Sequence, residues 1–390
     1  MGPALVAAVA YVDPGNVATN TAAGVQYRYM LLWVLVGATL MAGLVQYLSA
    51  KVGWLTGESL PSLVAERTSR PVRLAYWAQA ELVAMATDIA EIVGGAIALQ
   101  LLFGLDLVLG AVITATVSTF VLMVQSRRSQ RTFERVITSL LAIVAVGFVA
   151  GLFVDPPDKS QVIAGLLPTL AGPQSALLAV GMLGATVMPH AVYLHSALVR
   201  DRHGKADPIT AVTKLRSIKF DVIVAMVIAG TVNISMLLVS GSALFGLDID
   251  GIDQVHAAIG VHLGPSIALL FAIGLLASGL ASTSVGGYAG AVIMDGLLKR
   301  RLPVVWRRLI TAIPALVLLG AGFNATNLLI LSQVVLSFGI PFVLVPLVLL
   351  ARSPRLMAFV PTRKATIRVA WLATALIIAL NVVLVVLLVR

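Results

Sequence analysis

The sequence predicts an all-α membrane protein that crosses the bilayer eleven times. Its 390 residues are 59% hydrophobic and only 11% charged, whereas soluble domains carry roughly 25% charged residues. The mean hydropathy is +1.01. At ~20 apolar residues per helical span, the chain has room for about ten to twelve spans and little else. This composition excludes a soluble enzyme, a nucleic-acid-binding domain and a disordered scaffold. The absence of cysteine also excludes disulfides and thiolate metal sites.

Long apolar runs place the spans along the chain. Together they form a single transmembrane domain over residues 1–390. We predict the eleven spans at about 3–25, 29–50, 73–101, 107–124, 136–153, 175–199, 220–244, 264–296, 304–321, 328–350 and 369–389.

Lysine and arginine are divided unevenly between alternate connections. Of the 27 basic residues, 24 fall around the connections after spans 2, 4, 6, 8 and 10, and only Arg28, Lys159 and Arg390 lie on the opposite side. Basic loops remain in the cytoplasm. We therefore expect a multi-pass protein of the inner or plasma membrane with a cytoplasmic N-terminus and an extracellular or periplasmic C-terminus. The net charge of +10 is then a topology signal, compatible with contacts to anionic lipid headgroups, and it requires no nucleic-acid partner.

Two spans are interrupted. The first contains Asp13-Pro14-Gly15-Asn16, and the sixth contains Met188-Pro189-His190. Proline removes a helical hydrogen bond, and broken backbone at bilayer depth is tolerated only where protein or a watery cavity satisfies the freed groups. A surface turn and a simple kink are the alternatives. A turn at Asp13, however, would split an otherwise uncharged stretch into two pieces that are each too short to span.

The breaks occupy matching positions in two halves of five helices. Such pairs indicate a transporter built from inverted repeats, with its site near the bilayer midplane. We predict repeats at about 1–155 and 175–350, followed by an extra helix at 369–389.

Side chains at the breaks predict a site for a divalent transition metal. Asp13 offers an anionic oxygen, Asn16 a neutral oxygen and Met188 a thioether sulfur. Unwound backbone adds carbonyl oxygens, for which Ala10 and Ala185 are the best candidates because each lies three residues before a ligand. Oxygens alone would suit Mg²⁺ or Ca²⁺, whereas a thioether favours Mn²⁺, Fe²⁺, Co²⁺ and softer ions such as Cd²⁺. The alternative is that Met188 only fills core space.

Three carboxylates follow one face of span 3. Glu81, Asp88 and Glu91 fall within an arc of about 80° on a helix with ~100° per residue. They cannot face lipid, so they line a cavity or pair with other groups. A structural network between helices is the alternative to a proton relay.

Basic side chains favour the relay. Histidine exchanges protons near neutral pH, and span 6 supplies His190 and His195. His195 is the weaker candidate because it lies on a different helix face. Arg307 and Arg308 lie on the predicted cytoplasmic side, where they can pair with carboxylates near the exit.

The motifs Asp13–Asn16 and Ala185–His190, together with the carboxylates of span 3, resemble the Nramp (natural resistance-associated macrophage protein) family. That family comprises proton-coupled transporters of divalent transition metals, and its bacterial members are mainly manganese importers. The resemblance implies a LeuT-like fold and alternating access. It also implies that Gln333 joins the metal ligands in an occluded state.

The resemblance further implies a proton route. His190 would pair with Glu91, and protons would leave Asp13 through Asp88 towards Arg307 and Arg308. The metal and the proton are substrates, so we expect no resident cofactor, and we expect the protein to act as a monomer.

Three alternatives remain open. A sodium-coupled or amino-acid symporter of the same architecture would hold its substrate carboxylate at a half-helix N-terminus, where Asp13 would repel it. A membrane-embedded hydrolytic metalloenzyme would need ligand spacing such as His-Glu-x-x-His, which the sequence lacks. An ion channel is a third alternative, although two broken helices favour alternating access. We therefore expect a transporter rather than an enzyme.

Overall fold

A computed structural model describes residues 2–125, 130–204, 206–299 and 304–389, and these ranges contain helices and connections but no β-strand. Met1 and Arg390, the two ends of the predicted domain, lie outside the described residues. A short 3₁₀ turn, Ala10–Val12, follows the first helix. The α-helices are α1 (Pro3–Val9), α2 (Pro14–Tyr27), α3 (Leu32–Thr56), α4 (Leu60–Arg67), α5 (Arg70–Phe103), α6 (Leu107–Gln125), α7 (Gln130–Val149), α8 (Gly151–Val154), α9 (Lys159–Ala164), α10 (Pro173–Thr186), α11 (Pro189–His203), α12 (Ala211–Ala243), α13 (Ile252–His262), α14 (Pro265–Leu298), α15 (Val304–Gly320), α16 (Ala325–Arg352) and α17 (Lys364–Val389).

Each predicted span coincides with a helix or with a pair of consecutive helices. Among the described residues, eight helical segments are long and apolar enough to cross a membrane. The predicted spans that correspond to α1–α2, α6 and α15 are not among these eight. The all-helical membrane architecture is therefore confirmed, while the count of eleven crossings stays a prediction.

Local sequence signals set many helix boundaries. Proline occupies the first turn of α1, α2, α10, α11 and α14, where its missing N–H has no intrahelical partner to lose. Gly57 and Gly104 end α3 and α5 at a φ of 69°, a left-handed conformation that glycine adopts without steric cost.

The interrupted helices lie at the centre of the molecule. Every residue of α1 is buried, as is nearly all of α10 and α11, whereas α17 is mostly exposed at the periphery. Helix α2 packs on α12, α10 on α16, α11 on α3, and α5 on α14. This arrangement encloses both breaks within protein.

Both predicted interruptions are confirmed. Asp13 has extended backbone (φ −83°, ψ 171°) between the 3₁₀ turn and α2. Val187 and Met188 separate α10 from α11, and Met188 is extended (φ −64°, ψ 120°). Both breaks lie beside a proline, which lacks the backbone N–H that a continuous helix needs, so they occur where the sequence predicts them.

Side chains from other helices satisfy the broken backbone of the 3₁₀ turn. The Asn233 amide nitrogen on α12 donates to the Tyr11 carbonyl at 2.7 Å, and the Ser278 hydroxyl on α14 donates to the Val12 carbonyl at 2.5 Å. These two bonds supply what non-helical backbone needs at bilayer depth.

Candidate metal site

Asp13 is a fully buried carboxylate at the N-terminus of α2. Its Oδ1 accepts hydrogen bonds from the Asn16 backbone N–H at 2.7 Å and the Asn16 amide at 2.9 Å, and its Oδ2 accepts one from the Gln333 amide at 3.4 Å. Among the described residues, no lysine, arginine or histidine lies within ion-pair distance of this carboxylate. Burial of an unpaired anion is costly, so the site favours the arrival of a cation.

Two amide side chains border the carboxylate. Asn16 also donates to the Ala185 carbonyl at 3.1 Å, and Gln333 also donates to the Ser332 hydroxyl at 3.2 Å. Both amide nitrogens are thus engaged, whereas the amide oxygens Asn16 Oδ1 and Gln333 Oε1 are buried without a hydrogen-bond partner. An unpartnered buried acceptor is unfavourable. The two oxygens are therefore available to a cation.

Gly15 lets Gln333 come this close. A Cβ atom added at Gly15 would overlap the Gln333 amide. Gln333 on α16 thereby reaches Asp13 although the two residues are 320 positions apart in the chain.

Two half-helices end beside the carboxylate. Helix α1 ends just before the 3₁₀ turn that contains Ala10, and α10 ends at Thr186, next to the Ala185 carbonyl that Asn16 contacts. Helix C-termini carry partial negative charge. Met188 is fully buried between α10 and α11. Hydrogen bonds thus connect four of the predicted metal ligands, Asp13, Asn16, Ala185 and Gln333. The other two, Ala10 and Met188, lie at the two breaks. The role of all six as metal ligands stays a prediction.

A buried ion-pair cluster lies between α5, α6, α14 and α15. One Arg308 nitrogen contacts both Asp88 and Glu91, the latter at 3.0 Å. The Ser118 and Thr283 hydroxyls lie 3.2 Å and 3.4 Å from the other terminal guanidinium nitrogen. Two carboxylates thus share one guanidinium, and Asp88 Oδ2 and Glu91 Oε1 remain buried without a partner.

A second ion pair joins α5 to α15 nearer the N-terminus of α5. Arg307 contacts Glu81 at 3.2 Å, and this pair is more exposed than the Arg308 cluster. The three carboxylates of α5 therefore share a face, as predicted from their spacing, and each has an arginine partner from α15.

The contacts of His190 differ from those that the resemblance implies. His190 Nδ1 lies 3.3 Å from the Thr87 hydroxyl, while Glu91 is paired with Arg308. The described partner of Glu91 is therefore Arg308 from α15, and the implied pairing with His190 is not found among the described contacts. Arg308 is accordingly buried, with 2% of its surface exposed, rather than placed at an exit.

A family model for natural resistance-associated macrophage protein-like proteins matches residues 4–387. The chain belongs to the Nramp family. One relative, the divalent metal cation transporter MntH of Mycobacterium tuberculosis, is 55% identical over 387 residues, which cover 99% of this chain and 90% of that protein.

Solved structures agree with the fold. The manganese transporter of Eremococcus coleocola, in complex with an aromatic bis-isothiourea substituted compound, has a TM-score of 0.87 at 30% identity and covers 98% of this chain and 85% of its own. MHP1, a nucleobase-cation-symport-1 family transporter, has a TM-score of 0.60 at 15% identity, covering 100% of this chain and 91% of its own. The second likeness shows the fold alone. Both structures support the predicted LeuT-like architecture.

His195 belongs to a different network of this Nramp chain. Its Nδ1 lies 2.6 Å from the Gln46 amide oxygen, and the Gln46 amide nitrogen contacts the Tyr11 hydroxyl in the 3₁₀ turn. His195 is therefore linked to the first break, and none of its described hydrogen bonds reaches the carboxylates of α5. Neither Gln46 nor Tyr11 is among the site residues predicted from the sequence. An amide within an apolar span was the signal for the first, whereas nothing local marks the second.

Proposed function

We propose that this chain imports divalent transition metals, principally Mn²⁺ and also Fe²⁺, Co²⁺ and Cd²⁺, together with protons by alternating access. The observation that carries the proposal is the buried Asp13 carboxylate, with the free oxygens of Asn16 and Gln333 beside it. The names of the relatives support the same substrate class.

The ligand set explains the choice of metal. Asp13, Asn16 and Gln333 provide oxygen atoms, and the carbonyls of Ala10 and Ala185 provide two more at the broken backbone. The Met188 thioether adds a soft ligand that benefits transition metals more than Mg²⁺ or Ca²⁺. The site thus combines the charge needed to capture a cation with neutral ligands that allow its release.

The same geometry disfavours an amino-acid symporter. A substrate carboxylate at the N-terminus of α2 would meet the buried Asp13 anion, which would repel it. A metal cation would be attracted by Asp13 and by the C-terminal ends of α1 and α10.

The ion-pair cluster supports proton movement. Asp88 and Glu91 share one positive charge from Arg308, and each has an oxygen that is free to accept a proton. Protonation of one carboxylate would leave a neutral cluster. We assign the route from Asp13 through Asp88 and Glu91 towards Glu81 and Arg307, with His190 and His195 as flanking groups.

The wider arrangement is part of the proposal. The chain would act as a monomer in the inner or plasma membrane, without a resident cofactor and with a cytoplasmic N-terminus. Its repeats would span about 1–155 and 175–350. The paired breaks and the uneven distribution of basic residues support this arrangement.

Metal uptake into proteoliposomes tests the function. With an inward proton gradient, the wild-type protein should take up Mn²⁺ faster than without one, and Mn²⁺ addition should acidify the lumen. Glu91→Gln should still bind Mn²⁺, since Glu91 is not a proposed ligand, but should lose most of the proton flux. Mn²⁺ uptake that is indifferent to the gradient in both proteins would contradict proton coupling, and no uptake at all would contradict the function.

Met188→Ala should change the metal preference. Loss of the thioether should weaken Cd²⁺ binding about tenfold relative to Mn²⁺, which corresponds to ~1.4 kcal/mol. Ca²⁺ and Mg²⁺ should compete with Mn²⁺ more effectively. Competition by each ion against Mn²⁺ uptake measures the change. Met182→Ala is the matched control, because Met182 is equally buried on α10 but lies away from the break. Equal loss of all metals in both variants would remove Met188 from the site.

Single cysteines can report the orientation, since the chain has none of its own. Ile209→Cys and Asp248→Cys place thiols at exposed positions in two successive connections. An impermeant maleimide applied from the cytoplasmic side should label the first thiol and spare the second. The reverse pattern would overturn the orientation.

A further inference from the structure

A cavity of about 570 Å³ lies between α1, α11 and α12, where the chain passes from the end of α11 to the start of α12. Gly2, just before α1, and Leu5 on α1 line one side of the cavity, and Arg202 and His203 at the end of α11 line another. The wall from α12 includes Lys214. The proposed ligands at Asp13 and Met188 are not among the lining residues.

The cavity wall changes character along α12. Lys214, Ser217, Asp221, Val224 and Ile228 all line the cavity. They recur at helical spacing, so they follow one face over roughly 20 Å at 1.5 Å per residue. The polar members come first and the apolar members last. One end of the cavity is therefore basic and the other is hydrocarbon-like.

Positive charge prevails at the basic end. Arg202 and Lys214 are both half-buried, and Ser217 adds a hydroxyl between them and the apolar part. Asp221 is the one carboxylate among the lining residues, and its Oδ2 accepts the Ala4 backbone N–H of α1 at 3.3 Å. Two cations against one anion leave a net positive charge.

Apolar side chains on and beside the cavity wall of α12 are exposed on the surface that would face lipid. Phe220, which lines the cavity, is 68% exposed, and Val227 on the same helix is 60% exposed. Exposed apolar side chains on a membrane helix are lipid-facing surface. A ligand here would have its polar part among cations and its apolar part against the bilayer.

We infer that this cavity binds an anionic phospholipid. The lipid phosphate would lie against Arg202, Lys214 and Ser217, and an acyl chain would follow Val224 and Ile228. An anionic headgroup matches the net positive charge. A free phosphate ion would leave the apolar wall without a bound partner, whereas an acyl chain would cover it. Because Leu5 forms part of the wall, the lipid would contact the half-helix that leads to Asp13.

Native mass spectrometry of the full-length protein tests this inference with phosphatidylglycerol, phosphatidylcholine and inorganic phosphate as probes. We expect the wild type to retain phosphatidylglycerol in preference to phosphatidylcholine. The double variant Arg202→Gln/Lys214→Gln should bind phosphatidylglycerol about 30-fold more weakly, since each basic residue near anionic lipid contributes ~1 kcal/mol. The matched control is Arg216→Gln/Lys219→Gln, which removes the same charge from exposed positions of α12 that do not line the cavity.

A second variant tests the site without removing its cations. Ser217→Asp places a carboxylate at an exposed position beside the proposed headgroup, and it should also weaken phosphatidylglycerol binding. Equal retention of phosphatidylglycerol by the wild type and Ser217→Asp would overturn the inference. Displacement of the lipid by equimolar inorganic phosphate would show an ion site instead and would also overturn it. These measurements involve no metal transport, so their outcome is independent of the proposed function.

Discussion

Asp13→Ala should abolish Mn²⁺ uptake in proteoliposomes. The variant removes the one anion at the broken backbone and leaves only neutral donors, among them Asn16, Gln333 and the Ala185 carbonyl. Neutral donors alone bind a hydrated divalent ion poorly, because a charged oxygen ligand is what offsets the loss of its water. We expect uptake to fall to the level of empty liposomes.

The Asp13 side chain also caps α2, so the variant needs a control that separates charge from structure. Loss of an N-cap costs typically about 1 kcal/mol, which is too little to unfold the protein. Asp13→Asn retains an oxygen that can accept the Asn16 backbone N–H but removes the negative charge. It should fold like the wild type in a thermal unfolding assay and still fail to transport Mn²⁺. Near-normal uptake by Asp13→Asn would refute the site assignment.

Arg308→Gln should destabilise the protein more than any other single change considered for the ion-pair cluster. It leaves Asp88 and Glu91 buried beside each other without their shared cation. Removal of one partner from a buried ion pair costs roughly 3–5 kcal/mol. Thermal unfolding in detergent should therefore show a clear fall in midpoint for the variant.

Arg307→Gln is the matched control, because it removes the same charge from the neighbouring and more exposed pair with Glu81. Its unfolding midpoint should change much less. Combining Arg308→Gln with Asp88→Asn and Glu91→Gln should restore part of the lost stability, since the carboxylates then carry no charge. If Arg308→Gln unfolds at the wild-type midpoint, the arginine does not compensate these carboxylates.

Much of the fold and part of the site could be predicted because their causes are local. Proline and the residues beside it interrupt a helix wherever they occur, so the breaks at Asp13 and Met188 follow from short stretches of sequence. Helical spacing likewise predicts that Asp88 and Glu91 share a face.

The partners of these groups could not be predicted in the same way. Arg308 is 217 residues from Glu91 in the chain, and spacing along α5 does not reveal which helix its polar face will meet. The link from Tyr11 through Gln46 to His195 joins three helical segments that are adjacent only after folding. Tertiary packing decides such contacts, and the family resemblance alone led to His190 as the partner of Glu91.

The hydrogen bonds that close the unwound turn affect how easily the protein changes shape. Asn233 and Ser278 hold the Tyr11 and Val12 carbonyls from two different helices. A rotation of α1 away from α12 and α14 must exchange both bonds for water. At ~1 kcal/mol for each bond, the connected arrangement would be favoured about 30-fold over the separated one. The side chains that make a broken helix tolerable within the bilayer therefore also help to set the fraction of molecules in which α1 has moved.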